Sequence, residues 1–199
     1  MRHAPTSQNK ETAGPEKIRG WGDVGIGPEG KAVAQRAAEA LKGQKPDLIV
    51  TSDLPRAHET AKVLSEQWGG VPVIPASELR TWNVGDITGK VVKDAKPQLD
   101  QLQHKTPTKP APNGESYADF YGRWAKIVGK LQHMSEDKNI LAVVHGRQVY
   151  SLPNILAKAG PRGIPTHGSP DPGDVLAVND RTNRAEYVHK SGSPPKVTA

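Results

Sequence analysis

Two short apolar runs, each followed at once by polar residues, most constrain what this chain can fold into. The run 140–144 ends at His145-Gly146, and the run 48–50 ends close to Ser52. Short runs that are apolar at every position are typical of strands buried on both faces of a parallel sheet. Stretches with apolar residues at helical spacing stand between them, the clearest beginning after Ser116. The alternation predicts an α/β fold, a three-layer α/β/α sandwich with a mostly parallel mixed sheet.

Turn and capping signals predict where the remaining elements lie. Pro28 suits the first turn of a helix, and Ser52 or Asp53 is predicted to cap a second helix that has Pro55 in its first turn. The segment 71–74 is predicted to be an edge strand because Pro72 cannot donate a hydrogen bond. The last strands are predicted at 175–178 and 185–189. We expect one domain over 1–190, with a mobile excursion at 90–113 that holds a short helix near 97–103, and a disordered tail at 191–199.

Composition excludes several classes of chemistry. The 199 residues include no cysteine, so the chain has no disulfide, no thiolate nucleophile and no cysteine-ligated metal. No apolar run approaches the length of a membrane span, and the N-terminus has no signal-peptide pattern, so we expect a cytoplasmic protein with no membrane partner. The net charge of +6 suits an anionic partner. Nucleic acid is the weaker choice, because the basic residues are scattered and no aromatic residues are interleaved with them.

Four sequence blocks carry residues suited to phosphate chemistry. They are Arg2-His3-Ala4-Pro5-Thr6, the segment 52–61 that contains Arg56, the Pro-Asn-Gly-Glu-Ser segment 112–116, and Val143-Val144-His145-Gly146. An imidazole can attack phosphorus while a neighbouring guanidinium holds the phosphate oxygens. Open α/β sheets bind ligands at the carboxyl ends of their strands, where His145 and the segment 52–61 are predicted to lie. Taken singly each block is weak evidence, since a lone histidine at a strand end usually bonds to a backbone carbonyl.

The four blocks, in this order, resemble the histidine phosphatase superfamily, which includes the cofactor-dependent phosphoglycerate mutases. The resemblance runs from Arg2 to about Leu152 and implies a phosphoglycerate-mutase-like fold with no metal and no cofactor. It implies that His3 is the nucleophile, that Arg2 and Arg56 hold the phosphate oxygens, and that His145 donates to them. It also implies a set of residues that contact phosphate or substrate: Thr6, Asn9, Arg19, Gly20, Ser116 and Gly146.

The sequence departs from the family pattern at the general acid. Family members usually carry a glutamate at the position that falls on Thr81, and threonine cannot act as an acid near neutral pH. The candidates that could replace it are Glu78, Asp86, Asp53 and Glu115. Loss of a general acid typically costs a factor of about 100 to 10,000, so we expect activity on substrates with good leaving groups.

A second departure lies at the N-terminus. Relatives have an apolar strand before the Arg-His pair, in the middle of their sheet, whereas this chain offers only Met1. We expect that the protein begins upstream or at an alternative start; otherwise the sheet lacks most of a central strand and His3 is poorly held.

These observations favour a metal-independent phosphomonoesterase that hydrolyses a small phosphorylated metabolite through phospho-His3. The alternative is a phosphate-ligand-binding module of the same fold with impaired catalysis. A phosphoglycerate-type mutase ranks lower, because the segment 105–109 stands where mutases carry an arginine-containing cap over the substrate. A homodimer is a further expectation about partners.

Overall fold

The computed structural model describes residues 1–8, 14–162, 169–179 and 181–192. Within these ranges it contains the following main elements, in chain order: α1 (Pro28–Ala40), β1 (Leu48–Ser52), α2 (Pro55–Gln67), β2 (Val73–Ala76), α3 (Val92–Asp100), α4 (Tyr117–Met134), β3 (Ile140–Val143), α5 (Gly146–Leu156), β4 (Val175–Asn179) and β5 (Arg184–His189). A π-helical turn at Gln101–Lys105 continues α3. No helix among these residues is long and apolar enough to cross a membrane.

The sheet is mostly parallel. Strands β2, β1 and β3 pair in this order, both pairs parallel, with β2 at the edge as the proline at position 72 predicts. On the other side of β3, the segment 1–3 pairs with Val144 in parallel register. The amide of Arg2 donates to the carbonyl of Asp174 at 2.9 Å, which joins this segment to the residues before β4. Strands β4 and β5 are antiparallel, so the predicted mixed sheet is confirmed.

Helices cover both faces of the sheet because neighbouring strand residues point to opposite sides. Ile49 and Val143 pack in one cluster with buried residues of α1 and α2. Val50 and Val144 pack in another cluster with residues of α4 and α5, including Trp124. This alternation confirms the three layers expected from the sequence.

A very short segment stands where the sequence analysis expected a central strand. The carbonyl of Met1 accepts from the amide of Val144 at 2.9 Å, and the amide of His3 donates to the carbonyl of Val144 at 2.8 Å. The N-terminal ammonium donates to the carbonyl of Ala142 at 2.8 Å. His3 is therefore held by main-chain hydrogen bonds. An apolar cavity of about 540 Å³, lined by Met1, Val144 and Val175 among others, lies beside this segment.

The predicted cap of α2 is corrected by the structure. Leu54, rather than Ser52 or Asp53, is the N-cap of α2, and no side chain caps this helix. The hydroxyl of Ser52 instead accepts from the amide of Leu54, at 3.3 Å, one residue before the helix begins.

The expected excursion at 90–113 contains a longer helical segment than predicted. Ala95, Leu99 and Leu102 are buried in a cluster with Tyr117 and Phe120 of α4. The spacing of these three residues gives the segment one apolar stripe, although the rest of its surface is polar. Its mobility stays a prediction. Of the predicted tail, residues 193–199 lie outside the described residues.

Candidate active site

Residues from distant parts of the sequence meet around one cavity at the carboxyl ends of the strands. His3 follows the N-terminal segment, His145 follows β3 after one residue, and Arg56 lies in the first turn of α2. The cavity is about 1020 Å³, at the upper end of the range for small-molecule sites. Seven of the residues predicted for the site line it: Arg2, His3, Arg19, Gly20, Arg56, His145 and Gly146.

The hydrogen bond of His3 defines which ring nitrogen is free. Its Nδ1 lies 2.8 Å from the carbonyl oxygen of Ala4. Because a carbonyl only accepts, Nδ1 carries the proton and Nε2 keeps its lone pair. Burial, reinforced by the charges of Arg56 and Arg2, holds the pKa of His3 well below its usual value near 6.5. His3 is thus a neutral imidazole with an unprotonated Nε2.

Arg56 is fixed by main-chain acceptors. It is 1 % exposed, and its two terminal nitrogens donate to the carbonyls of Gly22 at 3.1 Å and Gly20 at 2.7 Å. The hydroxyl of Thr60 donates to the carbonyl of Arg56 at 2.6 Å and accepts from the amide of Ala4 at 3.0 Å. Thr60 therefore ties the first turn of α2 to the segment that carries His3.

His145 stands beside His3 on a rigid support. The two ring centroids are 5.2 Å apart with the rings nearly edge to face. The amide of His145 donates to the side-chain oxygen of Gln148 at 3.1 Å, and the side-chain nitrogen of Gln148 donates to the carbonyl of Leu79 at 3.0 Å. Burial, then the charges of Arg56 and its other neighbours, holds the pKa of His145 well below its usual value.

Several buried nitrogens around His3 have no hydrogen-bond partner among the described residues. They are Nε of Arg2, Nε of Arg56 and both ring nitrogens of His145. Arg2 also lies against Gly146, where an added Cβ would come within 3.3 Å of its Nε, so a side chain there would crowd the guanidinium. Buried polar groups without partners are rare and costly in native proteins. An anion with several acceptor oxygens, such as a phosphoryl group, would supply partners for the two guanidinium nitrogens and for the ring nitrogen of His145 that carries the proton.

Two of the predicted phosphate-binding residues do not line the cavity, and a third lies outside the described residues. Thr6 is buried, and its backbone pairs with Ile26. Ser116 is the N-cap of α4: its hydroxyl accepts from the amide of Asp119 at 3.1 Å and donates to the carboxylate of Asp119 at 2.6 Å. Asn9 lies outside the described residues.

The four candidate acids also lie away from the described cavity wall. Asp53 accepts two hydrogen bonds from Arg80, at 2.8 and 2.6 Å, and these bonds lower its pKa, so it stays ionised. Glu115 pairs with Arg123 at 2.7 Å. Asp86 accepts from the side-chain nitrogen of Asn113 at 2.9 Å on the surface, and Glu78 is exposed. Neither ion pair follows from a local pattern, because Asp53 and Arg80 are 27 residues apart, and Glu115 and Arg123 are 8 apart, which is not the spacing of neighbours on a helix.

The wall does contain two carboxylates that the sequence analysis did not single out. Glu16 pairs with Arg19 at 3.4 Å, and Asp100 pairs with Lys96. Glu16 lies in a polar N-terminal loop, and Asp100 lies in the segment that was expected to be a surface excursion, so no sequence signal marked either. Thr81 is on the wall and 8 % exposed, which puts the position of the family's glutamate in the cavity.

The charge of the site favours an anion over a metal ion. Cations outnumber carboxylates on the wall, which carries Arg2, Lys17, Arg19, Arg56, Lys96, Lys105 and Arg147 against Glu16 and Asp100. Among the described residues no cluster of His, Asp or Glu has the composition to ligate a metal.

Comparison with known proteins decides the family. The sequence model of the histidine phosphatase superfamily, branch 1, matches residues 1–186. The chain belongs to this superfamily. The match confirms the resemblance of the four blocks and, with it, the expected enzyme class of phosphatase.

Relatives of this histidine phosphatase include both phosphatases and mutase-like proteins. It is 32% identical over 158 residues to phosphoglycerate mutase-like protein 4 of Arabidopsis thaliana, covering 76% of this chain and 67% of that protein. It is 26% identical over 152 residues to the uncharacterized phosphatase PhoE of Bacillus subtilis, covering 76% and 72%. A mycobacterial glucosyl-3-phosphoglycerate phosphatase in complex with VO3 superposes with a TM-score of 0.76 at 27% identity, over 96% of each chain. These matches confirm the expected fold.

Proposed function

We propose that this protein is a phosphomonoesterase that acts through a phosphohistidine on His3 and uses no metal. The observation that carries the proposal is the ring of unpaired buried nitrogens on Arg2, Arg56 and His145 around a neutral imidazole. Such donors stabilise the charge of a phosphoryl group in a water-poor cavity, where their hydrogen bonds are stronger than in water.

The reaction consists of two transfers at phosphorus. Nε2 of His3 attacks the phosphorus in line, the bond to the ester oxygen breaks, and that oxygen leaves with the bonding electrons. A water then attacks the phosphohistidine, the phosphorus–nitrogen bond breaks, and inorganic phosphate leaves while Nε2 recovers its lone pair. Arg2, Arg56 and His145 hold the non-bridging oxygens in both steps.

The leaving oxygen needs a proton when it is strongly basic. The four predicted acids lie off the described wall, and the two carboxylates on the wall hold cations. We therefore propose that the enzyme favours esters with weakly basic leaving groups, which depart with little protonation.

The substrate is proposed to be a small phosphorylated metabolite. The cavity volume suits a molecule of metabolite size, and relatives carry names that refer to phosphoglycerates. Mutase activity ranks lower. The segment 90–113 contributes Lys96, His104 and Lys105 to the described wall of the cavity, and it contributes no arginine.

Hydrolysis of para-nitrophenyl phosphate between about pH 4 and 8 tests the proposal, because this leaving group needs little protonation. We expect His3→Ala to lower kcat by about 10⁴-fold or more, since the nucleophile is lost. The exposed His133→Ala is the matched control and keeps wild-type activity, because His133 lies on the outer end of α4. Activity that survives in His3→Ala would overturn the mechanism. No wild-type turnover, with vanadate still bound, would favour the binding module instead.

A further inference from the structure

Arg147 is a third arginine on the cavity wall without an acidic partner. It is the second residue of α5, two positions after His145, and it is half-buried. Other arginines near the site are neutralised: Arg19 by Glu16, Arg80 by Asp53 and Arg123 by Glu115. No carboxylate of the described residues forms an ion pair with Arg147.

The groups that contact Arg147 are neutral. One terminal nitrogen donates to the side-chain oxygen of Gln103, and the guanidinium lies 5.9 Å from the centroid of the Trp82 ring. Gln103 is 1 % exposed, and its amide nitrogen donates to the hydroxyl of Tyr117 at 3.3 Å. Burial raises the pKa of Tyr117 to about 12, so the phenol stays neutral and supplies no counter-charge. Asp100, the nearest acid to influence Arg147, is bound by Lys96.

The charge of Arg147 also interacts with a different set of groups from the charges of Arg2, Arg19 and Arg56. The cations that lower the pKa of His3 and His145 are Arg2, Arg19 and Arg56, and Arg147 is not among them. Its own electrostatic neighbours are Tyr117 of α4, Asp100 of α3 and Tyr150 of α5. Arg147 thus lines the same cavity as His3 but is held there by Gln103 and Trp82.

The guanidinium is held in a fixed orientation by its neutral contacts. Gln103 fixes one nitrogen, and Trp82, which is 2 % exposed and donates to the carbonyl of Glu115 at 3.0 Å, supports the plane of the group. No acceptor among the described residues holds the remaining N–H groups, which can form the forked hydrogen bonds that guanidinium makes with carboxylates and phosphates.

We propose that Arg147 binds a second anionic group on the leaving-group side of the substrate. This inference rests on the proposed function for the site around His3 and narrows its substrate class to phosphomonoesters that carry a second anion. A carboxylate and a second phosphate share the required chemistry.

Binding of phosphonates by titration calorimetry tests the inference without any need for turnover. The probes are ω-carboxyalkylphosphonates with two to five carbons, in pairs with alkylphosphonates of equal length. We expect the wild-type protein to bind the best carboxylated probe about 10- to 100-fold more tightly than its alkyl partner, the range for a charged hydrogen-bonded pair. In Arg147→Gln this ratio falls to about one.

Two further variants separate anion binding from a structural role. Arg147→Lys keeps the charge without the fork, and we expect an intermediate ratio even if Arg147→Gln folds poorly. Arg184→Gln removes an exposed arginine of β5 and is expected to keep the wild-type ratio. Bisphosphonates of the same lengths distinguish the two anions: tighter binding than the carboxylates assigns a second phosphate, and weaker binding assigns a carboxylate.

The inference is overturned if the wild-type protein shows no preference at any length, or if Arg147→Gln and Arg147→Lys both keep the full preference. The proposed phosphatase function is tested by a separate experiment. Loss of para-nitrophenyl phosphate hydrolysis in His3→Ala supports the phosphatase whatever the phosphonate ratios are.

Discussion

At the scale of single residues, the site depends on which atoms are left without partners. Nδ1 of His3 is bound by the carbonyl of Ala4, so only Nε2 is available as a nucleophile. The terminal nitrogens of Arg56 are bound by the loop at Gly20 and Gly22, which leaves Nε unpaired. The position of the general acid differs from the rest of the site. Thr81 stands there, and its side chain has no group that titrates near neutral pH.

Replacing Thr81 by glutamate is predicted to widen the range of leaving groups. The carbonyl of Thr81 accepts from the indole nitrogen of Trp21 at 2.7 Å, which fixes the backbone while the side chain lies on the cavity wall. We expect Thr81→Glu to raise kcat for an alkyl phosphate, relative to para-nitrophenyl phosphate, by about 100- to 10,000-fold. Thr81→Gln, which has the same size and no acidic proton, is the control. If the ratio of kcat for the alkyl phosphate to kcat for para-nitrophenyl phosphate is the same in Thr81→Glu and Thr81→Gln, the account of the missing acid is contradicted.

At the scale of elements, the N-terminal segment is notable because a single bridge pairs it with the sheet. It is a few residues long, yet it joins β3 to the residues before β4 and carries Arg2 and His3. Thr60 of α2 adds a hydrogen bond to Ala4 from the other layer. The apolar cavity beside Met1 is unfilled space next to this segment.

Apolar residues added before Met1 are predicted to stabilise the fold. An extension of three or four such residues can pair with β3 and bury apolar surface in the cavity beside Met1. Each kcal/mol gained raises Tm by about 2–4 °C in a chain of this size. An extension of serine and glycine, measured in the same calorimeter, is the control. No gain in Tm from the apolar extension relative to this control would refute the prediction.

The elements show what the sequence could predict and where it failed. Strands β1 and β3 and helix α4 were predicted because their apolar patterns are continuous and local. The cap of α2 was wrong because Ser52 bonds to an amide before the helix starts. The helix at α3 was predicted too short because only Ala95 and Leu99 mark its buried side in a polar segment. The surroundings of the candidate acids could not be predicted, because Asp53 and Glu115 are paired with arginines by tertiary structure.

At the scale of the whole molecule, the fold collects positive charge in one cavity and buries groups that would otherwise be protonated. The net charge of +6 suits an anionic substrate, and the described cavity wall carries several of the cations responsible. Burial lowers the pKa of the Met1 ammonium from 8.0 to about 5. The imidazoles of His3 and His145 are shifted in the same direction.

These shifts predict that stability falls as the pH is lowered from about 8. The unfolded chain binds a proton at Met1 below pH 8 and at each histidine below about 6.5, whereas the native state takes up these protons only at lower pH. The unfolded state therefore binds more protons, and the free energy of unfolding rises with pH across this window. For Met1 the change between pH 5 and 8 is on the order of 4 kcal/mol.

Urea unfolding across this pH range measures the effect. An N-terminally acetylated protein, which has no titrating ammonium, is the comparison, and we expect its stability to be flatter between pH 6.5 and 8. His3 and His145 still destabilise it below about pH 6.5. The same slope with and without the acetyl group would show that Met1 is not buried as an amine.

The most direct test of the central claim is to trap the phosphoenzyme. The protein is mixed with para-nitrophenyl phosphate, denatured at alkaline pH, where phosphohistidine persists, and analysed by peptide mass spectrometry. We predict one added phosphoryl group on His3, absent from His3→Ala and lost after acid treatment. Hydrolysis with no label on His3, or a label on another residue that persists in His3→Ala, would contradict the account.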